Sequence, residues 1–142
     1  MDETAFYLDE VDEFEDMQSP MNLVTVAIVG ACIEVHRQLG PGFGREVYAD
    51  ALAHELELRG AAYVRNRSVA LDYKGKPVGS HVLDFIVEDM VVLKIKTVKF
   101  LRPVHQAAMV SYLKASNKRL GLIVNFNTKI LMNGVERVAL KD

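Results

Sequence analysis

Basic residues recur in one short stretch of the sequence. In order they are Lys94, Lys96, Lys99 and Arg102. Residues 90–98, MVVLKIKTV, have a strand-like pattern that puts Lys94 and Lys96 on one face and packs Leu93 and Ile95 on the other. Such cations could bind the phosphates of a nucleic acid. The alternative is a surface strand with ordinary charges, and the absence of Trp weighs against nucleic-acid binding.

Residues 1–19 have the opposite charge. They contain eight acidic residues and no Lys or Arg, which leaves 17 basic and 11 acidic residues in 20–142, a net charge of +6. Apolar side chains are interleaved with the acids: Phe6, Tyr7, Leu8, Val11 and Phe14. A purely solvating extension typically has fewer aromatic residues. The segment is therefore either a solubilising extension or a docking element that orders on a basic surface of another protein or of this chain.

The cysteine and histidine content excludes several kinds of site. A single cysteine, Cys32, excludes an internal disulfide framework and a cysteine-based zinc site, and favours a cytoplasmic, reducing compartment. The four histidines show no metal-ligand spacing, and residues 40–44 do not match a phosphate-binding glycine motif. No apolar run approaches the ~18 residues of a membrane span. The acidic start resembles neither a secretory signal nor a transit peptide. We expect Cys32 to lie in the core.

Composition and periodicity predict one α/β domain over residues 20–142, preceded by the acidic tail. Half of the 142 residues are apolar and a quarter are charged, which is typical of a globular domain with a substantial core. The predicted order is helix 21–39, capped by Ser19 and Pro20, helix 46–59, strands 63–73, 78–87 and 90–98, helix 103–115, and strand 119–126. A final hairpin is predicted at Asn133-Gly134, between ILM and VERVAL.

Several phrases together resemble the GxxExxY family, a branch of the PD-(D/E)XK nuclease-like superfamily. They are IEVHRQLGPGF, VYADALAHELELRG, LDYKGKPVG, VLDFIVED, KIKTV, PVHQAAMVSYLK, RLGLIVNF and NGVERV, and the resemblance covers roughly residues 22–140. The resemblance implies a central mixed β-sheet flanked by helices. It also implies an ancestral pocket in which Mg²⁺, held by carboxylates, activates water against a phosphodiester.

The family pattern places a metal-binding Asp on one strand and a Glu-x-Lys motif on the next. It adds a Glu and a late Gln from two helices. In this sequence Asp84 and Lys96 match the pattern. The two Glu positions fall on Arg45 and Lys94, and the Gln position falls on Ala108.

These three departures predict the loss of the metal site. One carboxylate would face the cations Arg45, Lys94 and Lys96, and cations near a divalent ion repel it by several kcal/mol at an intermediate dielectric. We expect Asp84 to form an ion pair with Lys94 or Arg45 instead. Glu46 could replace the lost Glu only through a rotation of about 100° on the helix. Gln106 should point to another helix face.

Three classes of function follow. The first is a catalytically inactive domain, without metal or cofactor, that binds a protein partner or assembles with itself. The second is a non-cleaving nucleic-acid binder that uses Arg45, Lys94, Lys96, Lys99 and Arg102, with Arg65 and Arg67 as further candidates. The third is a divergent nuclease that depends on Mg²⁺.

Overall fold

The computed structural model describes residues 19–140. Residues 1–18 of the predicted acidic tail, with its docking residues Phe6, Tyr7, Leu8, Val11 and Phe14, therefore lie outside the described residues. The helices are α1 (Pro20–Leu39), α2 (Arg45–Leu58) and α3 (Pro103–Ser116). The strands are β1 (Tyr63–Tyr73), β2 (Lys76–Val87), β3 (Val91–Lys96), β4 (Leu120–Asn125) and β5 (Val135–Ala139). Between residues 19 and 140, no helix is both long and apolar enough to cross a membrane.

The five strands form one mixed sheet in the order β1-β2-β3-β4-β5. β3 and β4 are parallel, because α3 connects them, and the other neighbours are antiparallel. On one face the sheet packs against α1 and α2, through residues such as Ile28, Leu52 and Leu93. On the other face it packs against α3, through Val92 and Met109 among others. The predicted fold, a central mixed sheet flanked by helices, is confirmed.

The ends of α1 follow the sequence signals. The Ser19 side chain accepts a hydrogen bond from the Asn22 backbone N at 3.2 Å, and Pro20 occupies the first turn. Gly40 ends the helix with φ of 71°, a conformation that glycine adopts without steric cost. Cys32 is fully buried in this helix, as predicted, and burial raises the pKa of its thiol to about 12.

The predicted terminal hairpin is wrong. Leu131–Gly134 forms a 3₁₀ turn, and β5 pairs with β4 rather than with the residues before the turn. Two packing features explain the difference. Leu131 is completely buried in the core on the side of α1, and a Cβ on Gly134 would collide with the backbone O of Asn125. The Asn-Gly pair thus fits a tight turn against β4, and the residues directly before this turn do not form a strand.

The interpretation of residues 90–98 as a surface strand is also wrong, because β3 is central and its first five residues are buried. β2 and β3 pair only over the three residues from Phe85↔Leu93 to Val87↔Val91, whereas β1 and β2 continue as a hairpin to Tyr73↔Lys76. The two strands therefore diverge before Phe85 on β2 and after Leu93 on β3. The fork between them, bounded by residues 81–84 and 94–96, contains the candidate site.

Candidate active site at the strand fork

Asp84 lies at the point where β2 and β3 separate. Its carboxyl Oδ2 accepts a hydrogen bond from the Ile95 backbone N at 2.7 Å, and the residue is 6% exposed. Because β2 no longer supplies a backbone carbonyl here, the carboxylate satisfies a buried N–H that would otherwise lack a partner. One oxygen of Asp84, which matches the metal-binding Asp of the family pattern, is therefore already engaged with the sheet.

The second carboxylate oxygen faces two cations. Arg45 Nη1 donates to Asp84 Oδ1 at 3.0 Å, and Lys94 Nζ lies 3.7 Å from the same oxygen. Arg45 reaches it from the first residue of α2, and Lys94 reaches it from β3. The expectation that Asp84 pairs with Lys94 or Arg45 is confirmed, since both pairs are present.

Tyr48 positions the loop that precedes Arg45. Its hydroxyl donates to the Gly40 carbonyl at 2.5 Å and accepts from the Phe43 backbone N at 3.2 Å. Its ring stacks on Phe126, with centroids 4.6 Å apart and planes 13° from parallel. Because the Tyr48 side chain is fully buried, these contacts fix where α2 begins and hence where Arg45 enters the fork.

Lys94 fills the fork itself. It is 9% exposed, and Nζ lies 3.2 Å from His81 Nε2 and 3.4 Å from the Val82 carbonyl O. The ammonium also lies 5.4 Å from the centre of the Tyr112 ring, a cation–π distance. Burial lowers the pKa of Lys94, and the neighbouring cations add to this effect, whereas Asp84 opposes it.

His81 and Tyr112 are site residues that the sequence did not indicate. Their rings stack with centroids 4.1 Å apart and planes 7° from parallel. Burial and the charge of Lys94 lower the pKa of His81, and burial raises the pKa of Tyr112. Tyr112 lies one helical turn after Ala108, the position of the family's Gln, and therefore on the same helix face. That spacing could have indicated that Tyr112 faces the fork. Nothing in the sequence indicated His81, because its contact with Lys94 depends on how β2 diverges.

Glu46 does not replace the missing Glu inside the fork. Its carboxylate pairs with Arg45 and lies 3.9 Å from Arg65 Nη2, and its side chain is 67% exposed. Arg45 is therefore held between Asp84 and Glu46. Arg65 uses its other terminal nitrogen for Asp50, at 3.0 Å.

The late-helix positions also depart from a metal site. Gln106 Nε2 donates to Glu136 Oε2 on β5 at 2.6 Å, so it points away from Asp84, as predicted. Ala108 is half-buried and has no side-chain donor or acceptor. It lies on the helix face of Tyr112, where a glutamine could approach the fork and the methyl group adds only apolar surface.

The remaining predicted basic residues lie at the end of β3 or after it. Lys96 is half-buried, and Lys99 and Arg102 are exposed in the connection to α3. Lys99 Nζ lies 5.8 Å from the ring of Phe100, and Arg102 is the N-cap residue of α3. The five predicted nucleic-acid-binding residues therefore lie in different surroundings. Lys94 is buried, and Arg45 is half-buried and paired with acids. The other three lie at or beyond the end of β3.

The donor set around Asp84 does not fit a hard divalent cation. Mg²⁺ prefers several carboxylate or carbonyl oxygens, whereas this fork offers one carboxylate, already shared by two cations and a backbone N–H. Among residues 19–140 no group of three His, Cys, Asp or Glu side chains could hold a metal ion. The arrangement joins α2, β2 and β3 electrostatically.

A mixed five-stranded sheet with a charged fork between two strands is the architecture of a nuclease-like α+β domain. The chain belongs to the PD-(D/E)XK nuclease superfamily, whose family model matches residues 22–138. Searches of curated proteins and of solved structures gave no match.

Proposed function

We propose that this chain is a catalytically inactive member of its superfamily, in the GxxExxY branch, and acts as a protein-interaction or assembly subunit. The observation that carries the proposal is the saturation of Asp84. Oδ1 faces Arg45 and Lys94, and Oδ2 accepts from Ile95 N. A site that needs free carboxylate oxygens has become an internal ion-pair network, while both packed cores of the fold are retained.

Charge supports the same proposal. An ion bound to Asp84 Oδ1 at about 2.1 Å would lie within about 6 Å of Lys94 Nζ, because that nitrogen is 3.7 Å from the same oxygen. The repulsion between a divalent ion and one ammonium at this distance is about 6 kcal/mol at an effective dielectric of 20. That corresponds to roughly four orders of magnitude in metal affinity. Arg45, whose Nη1 lies 3.0 Å from the same oxygen, would also repel the ion.

The test combines metal binding with cleavage. Titration calorimetry with Mn²⁺ and Mg²⁺ on the full chain should give no binding at the fork, and DNA and RNA substrates should remain intact. A variant with Arg45→Glu, Lys94→Glu and Ala108→Gln restores the family's donors, and we expect it to gain Mn²⁺ binding. Metal-dependent cleavage by the unmodified chain that disappears in Asp84→Ala would overturn the proposal.

The interaction role needs its own measurement. Light scattering of the full chain, compared with a chain that lacks residues 1–19, would detect self-assembly through the acidic segment. A larger species that depends on residues 1–19 supports assembly. A monomer under all conditions restricts the proposal to a heterologous partner.

A non-cleaving nucleic-acid binder is the second candidate. Within the described part of the chain, Lys96, Lys99 and Arg102 form no ion pair, so their charges are available for phosphates. Fluorescence anisotropy with labelled DNA and RNA should then show affinity that falls steeply with salt. Changing these three residues to Gln should abolish binding, whereas the same change at Lys74, Lys76 and Lys129 serves as the control.

A further inference from the structure

An apolar groove lies between α1 and α2, near the end of α1 that begins at Pro20. Its cavity volume is about 240 Å³, and its apolar lining includes Leu23, Ala27 and Leu56. Leu23 is 52% exposed, although it lies one turn inside a helix that packs on the core. The residues that line this groove do not include the members of the ion-pair network at Asp84.

The position of Leu23 in α1 is one that an apolar side chain from before the helix commonly covers. Since Ser19 is the N-cap, Leu23 is the fourth residue of the helix. In many helices this residue packs against an apolar residue that directly precedes the N-cap. The residue before the cap here is Gln18, which is polar. An apolar side chain of the same chain that covers Leu23 would come from further upstream, in the acidic segment.

We propose that Phe14 of the same chain occupies this groove and straps the acidic segment against α1 and α2. Phe14 precedes Ser19 by five residues, which span up to about 17 Å when extended. The groove residues Leu23 to Ile28 lie about 6 to 14 Å along α1 from Ser19. A phenyl ring is of suitable size for the cavity, and its short tether gives an effective concentration in the millimolar range.

Distance excludes the strand fork as the place where Phe14 binds in the same chain. Arg45 follows the far end of α1, whose 20 residues span about 30 Å. Phe14 reaches only about half as far. The groove also carries opposite charges, from Arg59 and Glu88, so the acids that flank Phe14 gain little net attraction there. The ring of Phe14 is therefore the anchor of the proposed contact.

The inference stands apart from the proposed function, because it holds whether or not the fork binds a metal or a nucleic acid. Its test is a double-mutant cycle in urea unfolding of the full chain. Phe14→Ala should lower the folding equilibrium constant about tenfold, through loss of a buried ring. Phe6→Ala is the matched control and should change it by less than about twofold.

The second half of the cycle uses Ala27→Gln, which fills the groove from an exposed position of α1. In that background Phe14→Ala should have almost no further effect, because the ring no longer has a site. An equal effect of Phe14→Ala in both backgrounds, or no difference between Phe14→Ala and Phe6→Ala, overturns the proposal. An effect that grows with protein concentration, together with a dimer in light scattering, assigns the groove to a second copy and also overturns it.

Discussion

Replacing Asp84 with Asn tests whether the carboxylate is a structural partner of Lys94. The amide oxygen of Asn can still accept from Ile95 N, so the substitution mainly removes the charge. At 3.7 Å the attraction between Lys94 Nζ and Asp84 Oδ1 is about 4.5 kcal/mol at an effective dielectric of 20. Lys94 is 9% exposed and would remain beside Arg45 without its carboxylate.

Lys94 can limit the loss by releasing its proton. For a lysine of ordinary pKa 10.5, deprotonation at pH 7 costs about 5 kcal/mol, and the lowered pKa of Lys94 makes this cost smaller. We therefore expect Asp84→Asn to reduce the free energy of unfolding by about 3 kcal/mol. Adding Lys94→Met removes the unpaired charge, and the double variant should return to within about 1 kcal/mol of the original protein.

Urea unfolding followed by circular dichroism measures these differences. The control is Asp89→Asn, which removes a shorter ion pair, 2.8 Å to Lys118, from a side chain that is 86% exposed. Solvent screening should keep its effect below about 1 kcal/mol. If Asp84→Asn costs no more than Asp89→Asn, or stabilises the protein, the structural role of the pair is refuted. Failure of Lys94→Met to rescue would also refute it.

Three further predictions concern pH, packing and reactivity. Because folding lowers the pKa of Lys94, its unfolded state holds the proton more tightly, so the free energy of unfolding should rise with pH between the lowered pKa and 10.5. Urea titrations across this range should show the rise, and Lys94→Met should lack this component. Gly134→Ala should cost about 2 kcal/mol, because its Cβ meets the Asn125 carbonyl, whereas Gly44→Ala should cost less than about 1 kcal/mol in the same assay. Cys32, with a pKa of about 12, should react with iodoacetamide at pH 8 only as fast as the protein unfolds, as followed by mass spectrometry; rapid labelling of the folded chain would contradict this.

Local signals in the sequence were sufficient for most of the elements. The Ser19-Pro20 cap and the glycine at position 40 set the ends of α1, because capping depends on neighbouring residues. The Asn133-Gly134 pair misled, because the same dipeptide suits a hairpin or a 3₁₀ turn. Packing of Leu131 into the core decided between them.

At the candidate site, the sequence by itself determined which charges are present. Asp84, Arg45 and Lys94 could be assigned to one pocket through the family pattern, and opposite charges in a pocket of low dielectric must pair. The tertiary structure alone decided how the pairing is arranged. β2 and β3 pair only over Phe85–Val87 of β2 and are separated before it, so Asp84 also accepts from the backbone of β3, and Lys94 enters the gap beside His81 and Tyr112. These contacts join residues far apart in the chain, and their geometry depends on strand divergence and helix placement, which no local pattern specifies.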